Sequence, residues 1–528
     1  MKRIELIVIG AGPAGLSAAI EAAKTGMEVV VFDENAKPGG QLFKQIHKFF
    51  GSKEHRAKVR GYKIGQELLE EANKAGVNVI LNATVIGIFE NKEITVMAED
   101  RIVHYKADYL IVATGASENM VPFEGWTLPG VIGAGAAQTL INLHGVKPGN
   151  KILMLGSGNV GLVVSYQLLQ AGCEVVALVD AAKRVGGYGV HAAKVARCGV
   201  PFYLSHTIVK AEGEECVNKV TIAEVDESWH TISGTEKQFE VDTICMAVGL
   251  SPMSQLLKAA GCMMIEDNKR GGVVPKTDSY GQTSIKGIYA SGDVSGIEEA
   301  SSAMIEGRIS GIAAAKDAGY LSETLFQEKV NSYHKAIDCL RQGMFAPENR
   351  GRTDLTSTEE GVLISQSLLT KGYVDETEIY RYPGVRTGIK GVHPVIECTQ
   401  NIPCNPCQDA CQRHCIKIGN SITSLPVVDE TEICSGCGMC VAFCSGQAIF
   451  LVNEEYDENY ATVTLPYEFL PLPKKGDQGK AFDRSGTEVC DAEVVEVRSA
   501  KVMDHTNLVT IKVSKDMAMK ARFYKAIV

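Results

Sequence analysis

Two stretches of the 528-residue chain share one hydrophobic pattern. In residues 4–34, "IELIVIGAGPAGLSAAIEAAKTGMEVVVFDE", an unbroken apolar run from Leu6 to Ile9 predicts a buried strand. An alanine-rich stretch then predicts a helix, and the run Val29 to Phe32 a second buried strand. From Lys151, "KILMLGSGNVGLVVSYQLLQAGCEVVALVD" repeats strand, turn, helix and strand. This alternation predicts an α/β protein with parallel sheets. Two further apolar runs, "ADYLIVATGASE" (107–118) and "TSIKGIYASGDVSG" (283–296), predict strands that end in Thr114-Gly115 and Gly292-Asp293. Further on, "SETLFQEKVNSYHKAIDCLRQGMF" has helical periodicity, "NRGRTDLTSTEEG" is polar and turn-rich, and "TEIYRYPGVRTGIKGVHPVIE" reads as extended. Near the C-terminus, "DAEVVEVRSAKVMDHTNLVTIKVS" alternates as strands do, with a turn near "MDHTN".

The turns carry the first chemistry. Gly10-x-Gly12-x-x-Gly15 follows the first strand. Its first glycine permits the tight turn, its second lets backbone approach a pyrophosphate, and its third lets helix and strand pack closely. Pro13 and Ala14 open the helix, whose N-terminus offers N–H groups and a positive dipole end to phosphate. Asp33, followed by Glu34, stands at the end of the second strand, where an acid accepts from ribose hydroxyls. The second copy is Gly156-x-Gly158-x-x-Gly161, with Asn159 and Val160 opening its helix and Asp180 at the strand end. An acid there repels a 2′-phosphate and favours NAD over NADP, while Lys183 and Arg184 close behind leave the choice open.

Composition narrows the setting. A net charge of -10 argues against nucleic acid or an anionic membrane as partner. No secretory pattern and no apolar run of membrane-spanning length is visible, so a cytoplasmic location is expected. There the 16 cysteines read as metal ligands or buried thiols, not as a disulfide framework. Cys173, Cys198, Cys216, Cys245, Cys262, Cys339 and Cys490 stand singly, as small core residues do. Dithiol exchange needs two close thiols, and neither a C-x-x-C in the second fold nor a C-x4-C after the first helix supplies them. His47, His104, His144, His191, His206 and His393 also occur singly, and no residue is assigned a catalytic role.

The remaining nine cysteines fall within residues 398–444. Cys434-x2-Cys437-x2-Cys440-x3-Cys444 matches the bacterial ferredoxin run, with Ser445 where proline is usual. Four soft thiolates at this spacing suit a [4Fe–4S] cluster, with an all-thiolate zinc site as the rival. Setting Cys411 against Cys444 aligns Cys407 with Cys440 and Cys404 with Cys437, while Cys398 falls three residues early and Cys415 falls outside the motif. By the crossover rule of two-cluster ferredoxins, Cys434, Cys437 and Cys440 share one cluster with Cys411. Cys398, Cys404 and Cys407 would share a second iron–sulfur cluster with Cys444, the alternative being a degenerate half-repeat that holds nothing or a different cluster type.

The two glycine motifs, the A-T-G strand and the G-D turn resemble the two-dinucleotide-binding flavoproteins. That resemblance implies FAD in the first fold and NAD(P)H in the second, inserted one, with Asp293 serving the flavin's ribityl and pyrophosphate region. "KPGGQL", with Gly40 and Gln41, resembles the loop that approaches the cofactor, and Val85 is similar in position to a residue whose backbone meets adenine. Asp33 departs from the glutamate commoner there. "GVHAAKVARCGVPFYLSHTIVKAEG", "ASSAMIEGRISGIAAA" and "IPCNPC" further resemble the α subunit of heteromeric flavin amino-acid dehydrogenases and oxidases, which include dye-linked L-proline dehydrogenase, opine oxidase, hydrogen cyanide synthase and sarcosine oxidase. The implied layout is a split FAD-binding domain (1–118 and 280–325), an NAD(P)-binding domain (119–279), a helical and extended linker (326–396), a ferredoxin-like domain (397–454) and a small β-rich domain (455–528). The implied role is an electron-transfer subunit beside a substrate-oxidising, FAD-containing β subunit, with a ferredoxin or small third subunit as further partner. The alternatives are an NAD(P)H:acceptor oxidoreductase like the glutamate synthase small subunit, and a nucleotide-binding scaffold.

Overall fold

A computed structural model describes residues 1–347, 350 and 364–527. The turn-rich segment predicted at 349–361 lies, Arg350 apart, outside the described residues. The chain divides into two compact units. One comprises Met1–Phe49, Glu54–Glu118 and the described residues of 249–356; the other comprises Phe50–Lys53, Asn119–Val248 and the described residues of 357–528.

Among the described residues, the first unit holds a seven-stranded sheet. Asn78–Ile80, Val29–Phe32, Lys2–Ile9 and Arg101–Val112 lie side by side in parallel. The long strand Arg101–Val112 serves two layers. Its first half pairs antiparallel with Glu93–Ala98, and its buried second half pairs with Lys2–Ile9 and Ile288–Ala290. The helices Pro13–Ala23 and Ala300–Asp317 pack through small residues: a Cβ at Gly307 would meet the Ala14 carbonyl oxygen at 2.1 Å, and one at Gly311 the Ala18 oxygen at 2.3 Å. Sequence places the chain's return to this unit near 280, whereas it is already back at 249. Leu250–Pro252 pairs with Ala116–Glu118, and Leu257 and Cys262 bury against the strand Ala83–Phe89.

The second unit is built on the parallel order Phe202–Leu204, Glu174–Asp180, Lys151–Leu155, Thr243–Met246, Val131–Gly133. Its second sheet, seven-stranded among the described residues and antiparallel, runs His393–Ile396, Ile449–Asn453, Tyr460–Tyr467, Asn507–Ser514, Glu488–Arg498, Gln478–Phe482, Phe523–Ala526. One apolar core joins both sheets, from Leu162, Leu168 and Val195 to Phe450, Val463, Ile511 and Tyr524. The helix Glu323–Leu340 forms where the periodicity predicts it. The stretch 377–397, read as extended, is strand only over His393–Ile396; before that it turns, and Glu376–Ile379 is helical.

The cysteine-rich segment is an excursion between two paired strands, His393–Ile396 and Ile449–Asn453. Its base is tied by Glu397, whose N–H donates to the Ala448 oxygen at 2.8 Å. The Glu397 carboxylate accepts from Arg484 Nε at 3.1 Å and from Arg522 Nε at 2.5 Å. Arg522 is fully buried and Arg484 nearly so. Burial alone would raise this carboxyl; the two guanidiniums outweigh burial and hold it at about 2. Removing one partner of a buried pair leaves uncompensated charge and costs on the order of 3–5 kcal/mol.

A carboxyl held below its ordinary value contributes stability above its unfolded pKa and loses it as pH falls through the folded one. Glu397→Gln is therefore expected to lose about 3 kcal/mol in urea unfolding at pH 7. The gap to the parent should shrink as pH falls from 4.5 towards 2. A gap independent of pH would show that the carboxylate charge is not what holds the base.

Candidate functional site

The two glycine turns are built alike. Gly10 has φ +104°, and a Cβ there would strike the Ala113 oxygen at 2.4 Å; Gly156 has φ +112° and the same conflict with the Ala247 oxygen at 2.2 Å. A Cβ on Gly15 would lie 1.9 Å from the Gly10 oxygen, and one on Gly161 2.1 Å from the Gly156 oxygen. The middle glycines differ in kind: beside Gly12 and Gly158 a Cβ would meet nothing within 4 Å. These open positions form the cradles. Each is the N-cap of a helix with no side-chain cap and no acid in its first turn, so the amide groups there are available to an anion. Pro13 stands at the helix start, Ala14 is buried and Val160 is 41% exposed. The Asn159 amide oxygen accepts from the Tyr188 N–H at 2.8 Å and fixes the neighbouring loop.

The two acids also match. Asp33 accepts from the Ala11 N–H at 2.6 Å and from the Asn35 N–H and side-chain amide at 2.8 Å each. Asp180 accepts from the Ser157 N–H and hydroxyl at 2.6 Å and from the Ala182 N–H at 2.8 Å. Each carboxylate thus ties its strand end to its glycine turn and keeps about one acceptor position for a ribose hydroxyl. Glu34 is exposed. Lys183 is ion-paired to Glu227 at 2.9 Å.

The other first-unit residues spread along the same sheet. The Thr114 hydroxyl donates to the Met253 oxygen at 2.8 Å, and Gly115 has open space beside it. The Gly39 N–H donates to the Ala11 oxygen at 2.7 Å, which brings Gly40 against Gly12; Gln41 is exposed. Val85 is buried and paired with Val96 in the hairpin. The Gly292 N–H donates to Glu306 at 3.0 Å, and Asp293 accepts from the Glu298 N–H at 3.3 Å. Burial, aided by Glu306 and Glu298, pushes the Asp293 carboxyl up to about 7. Behind this turn Arg341 pairs with Glu298 at 2.8 Å and with Glu306, and Arg350 pairs with both. In the sequence this charged group shows only as a glutamate set among small residues in "ASSAMIEGRISG".

In the second unit thiols from both halves of the cysteine segment, Cys398, Cys407, Cys411, Cys434, Cys440 and Cys444, share one apolar cluster. Cys404 lies in the field of Cys407, Cys444 and Cys398, and Cys398 in that of Cys444 and Cys407. Cys440 lies chiefly in the field of Cys434, Cys411 and Cys437. Its weaker coupling to Cys407 marks where the two sets adjoin. Burial first, and neighbouring thiols second, push Cys398, Cys404, Cys407 and Cys440 up, Cys407 to about 12. The Cys444 sulfur accepts from the Ala448 N–H at 3.4 Å and the Cys434 sulfur from the Gly436 N–H at 3.4 Å, contacts that favour thiolate. Cys437 is exposed. Cys415, outside the sequence motif, is buried and lies in the field of Cys411 and Cys434, so the alignment missed a neighbour of those thiols. Among the described residues no three His, Cys, Asp or Glu side chains converge closely enough for a single metal ion. A four-iron cube interposes iron and sulfide between its thiolates and so asks for a wider ring of soft donors. None of the 16 cysteines is in a disulfide, and Cys173, Cys198, Cys245 and Cys262 are buried. No helix among the described residues is long and apolar enough to cross a membrane.

Comparisons with known proteins bear on the part of the chain that carries the two glycine turns. The model of the pyridine nucleotide-disulphide oxidoreductase family matches residues 4–307. An opine oxidase subunit of Agrobacterium tumefaciens is 31% identical over 62% of this chain and 69% of its own length. The hydrogen cyanide synthase protein HcnB of Pseudomonas aeruginosa is 28% identical over 58% and 70%. The chain spans about two thirds of the length of the opine oxidase relatives it matches. In fold, T. acidophilum thioredoxin reductase aligns with a TM-score of 0.50 at 21% identity, over 60% of this chain and 99% of that one. The chain belongs to the pyridine nucleotide-disulphide oxidoreductase family, among the relatives of HcnB and the opine oxidase subunits.

Proposed function

We propose that this chain is the electron-transfer subunit of a heteromeric amino-acid dehydrogenase, acting on a secondary amine of the proline type and carrying FAD, NAD(H) and two iron–sulfur clusters. The observation that carries the reading is that thiols from both halves of the cysteine-rich segment gather in one apolar cluster of the unit that also bears the second glycine cradle. The names of its relatives, an opine oxidase subunit and a hydrogen cyanide synthase subunit, support a role beside other subunits. The partner proposed is an FAD-containing subunit that oxidises the substrate.

The roles of the chain's own residues follow from their chemistry. The amide groups after Gly12 hold one diphosphate and those after Gly158 the other. Asp33 and Asp180 hold the two riboses, and the Gly292–Asp293 turn holds the ribityl end. Asp180 would face a 2′-phosphate with like charge, and Lys183 is already paired with Glu227, so NAD(H) is the better fit. Cys398, Cys404, Cys407 and Cys444 hold one cluster, and Cys411, Cys434, Cys437 and Cys440 the other. A bound flavin exchanges single electrons or a hydride, and so can join one-electron clusters to a two-electron nicotinamide. No side chain is asked to take a proton from substrate, because substrate oxidation is assigned to the partner.

Protein purified without oxygen is expected to show a flavin spectrum and about eight iron atoms per chain. Cys398→Ala and Cys434→Ala should each remove about half the iron and abolish different paramagnetic signals. A fully loaded preparation without flavin, or amino-acid oxidation by the isolated chain, contradicts the proposal. Dye reduction by the isolated chain should favour NADH over NADPH. In Asp180→Ala that preference should fall about tenfold, equivalent to about 1.4 kcal/mol. An unchanged ratio would remove Asp180 from the nucleotide site.

A further inference from the structure

The helix Gly189–Ala196 and the residue after it carry two cations into the core of the second unit: Lys194 is 2% exposed and Arg197 is 6% exposed. Arg197 Nη1 donates to the Gln447 backbone oxygen at 3.0 Å and Nη2 reaches the Gln447 side-chain oxygen at 3.5 Å. Its guanidinium stands 5.4 Å from the Phe450 ring centre. The Lys194 ammonium lies 4.3 Å from the centre of the Tyr166 ring, and the Tyr166 hydroxyl donates to the same Gln447 side-chain oxygen at 2.9 Å. Among the described residues no carboxylate lies within ion-pair distance of either cation; Glu468 acts on Lys194 only from further away.

Two buried cations without a paired anion are costly, several kcal/mol each in the absence of compensation. The neighbouring pair does not supply it, since Arg484 and Arg522 share the single carboxylate of Glu397 and leave one further positive charge. Both cations gather at Gln447, to which Arg197 and the Tyr166 hydroxyl under Lys194 donate and whose own N–H donates to the Cys444 backbone oxygen at 3.1 Å. The Cys444 sulfur also accepts from N–H groups that follow it in the chain. The other thiol set has no such layer: Arg498 donates to the Gly436 and Cys437 oxygens at 3.0 and 3.1 Å, but it is part-exposed beside Glu496, and Cys437 is exposed.

We propose that Lys194 and Arg197 are the counter-charge of the iron–sulfur cluster at Cys398, Cys404, Cys407 and Cys444, and that they raise its reduction potential. The proposal rests on the cluster reading given above. Four thiolates and a cubane core carry net negative charge, and reduction by one electron adds another. Burial resists that addition, and fixed cations beside a ligand favour it. The two act as positioning charges on the cluster, not as groups that touch substrate.

The test is a redox titration of the full-chain iron-loaded protein followed by electron paramagnetic resonance, with iron content measured in parallel. In Arg197→Gln the reduced-to-oxidised ratio of one signal, poised at the parent midpoint, should fall about tenfold, a shift of about 59 mV for one electron. The second signal should stay where it is. Arg197→Lys, which keeps the charge, should remain within about threefold of the parent. Loss of iron in Arg197→Gln but not in Arg197→Lys also supports the counter-charge role. An unmoved potential in Arg197→Gln at full iron content overturns it, as does equal iron loss in both variants. If the parent itself binds no iron at the Cys398 set, the cluster reading fails and takes this proposal with it.

Discussion

The cysteine-rich excursion depends on one buried carboxylate. Glu397 sits where a sheet strand ends and the excursion begins, and its backbone grips the residue just before the next strand. Its side chain reaches Arg484 and Arg522, which belong to the far end of the same sheet. The excursion from Glu397 to Ala448 is thereby closed at its base by one backbone hydrogen bond and one ion triad. Cys398 follows immediately, and Cys444 lies four residues before the partner carbonyl of Ala448. The two ends of one thiol set are therefore brought together by the same lock that closes the loop.

That arrangement explains why the second unit is built as it is. Its nucleotide fold and its antiparallel sheet share one apolar core, so the helix Gly189–Ala196 can bring Lys194 and Arg197 to the turn at Gln447 without leaving the fold. The first unit uses a different device. There the Gly292–Asp293 turn is backed by Glu298, Glu306, Arg341 and Arg350, a group that meets its own charges internally. In both units the glycine turn is held by an acid from the next strand, which makes the cradle rigid before any nucleotide arrives.

Much of this was legible in the sequence, for a physical reason. A glycine turn between strand and helix is a local solution to a local conflict, and the contacts of Gly10, Gly15, Gly156 and Gly161 are those the spacing predicts. What escaped was long-range. Glu397 and its arginines are separated by 87 and 125 residues and leave no pattern in any window. The early return at 249 turns on a three-residue strand pairing, too short to announce itself. The stretch 377–397 carries β-branched and aromatic residues, yet Gly384 packs where a Cβ would strike the Ile396 oxygen at 2.7 Å, and the chain turns instead. Lys194 and Arg197 are buried by contacts such as that of Arg197 with Gln447, 250 residues away, which leave no local pattern.

Two iron centres side by side, each bounded by thiols from both halves of the cysteine segment, would be seen most directly by anomalous diffraction at the iron absorption edge. The expected result is two iron centres, one surrounded by Cys398, Cys404, Cys407 and Cys444 and the other by Cys411, Cys434, Cys437 and Cys440. A single centre, a signal at the zinc edge, or two centres each bounded by one half of the segment alone would contradict it.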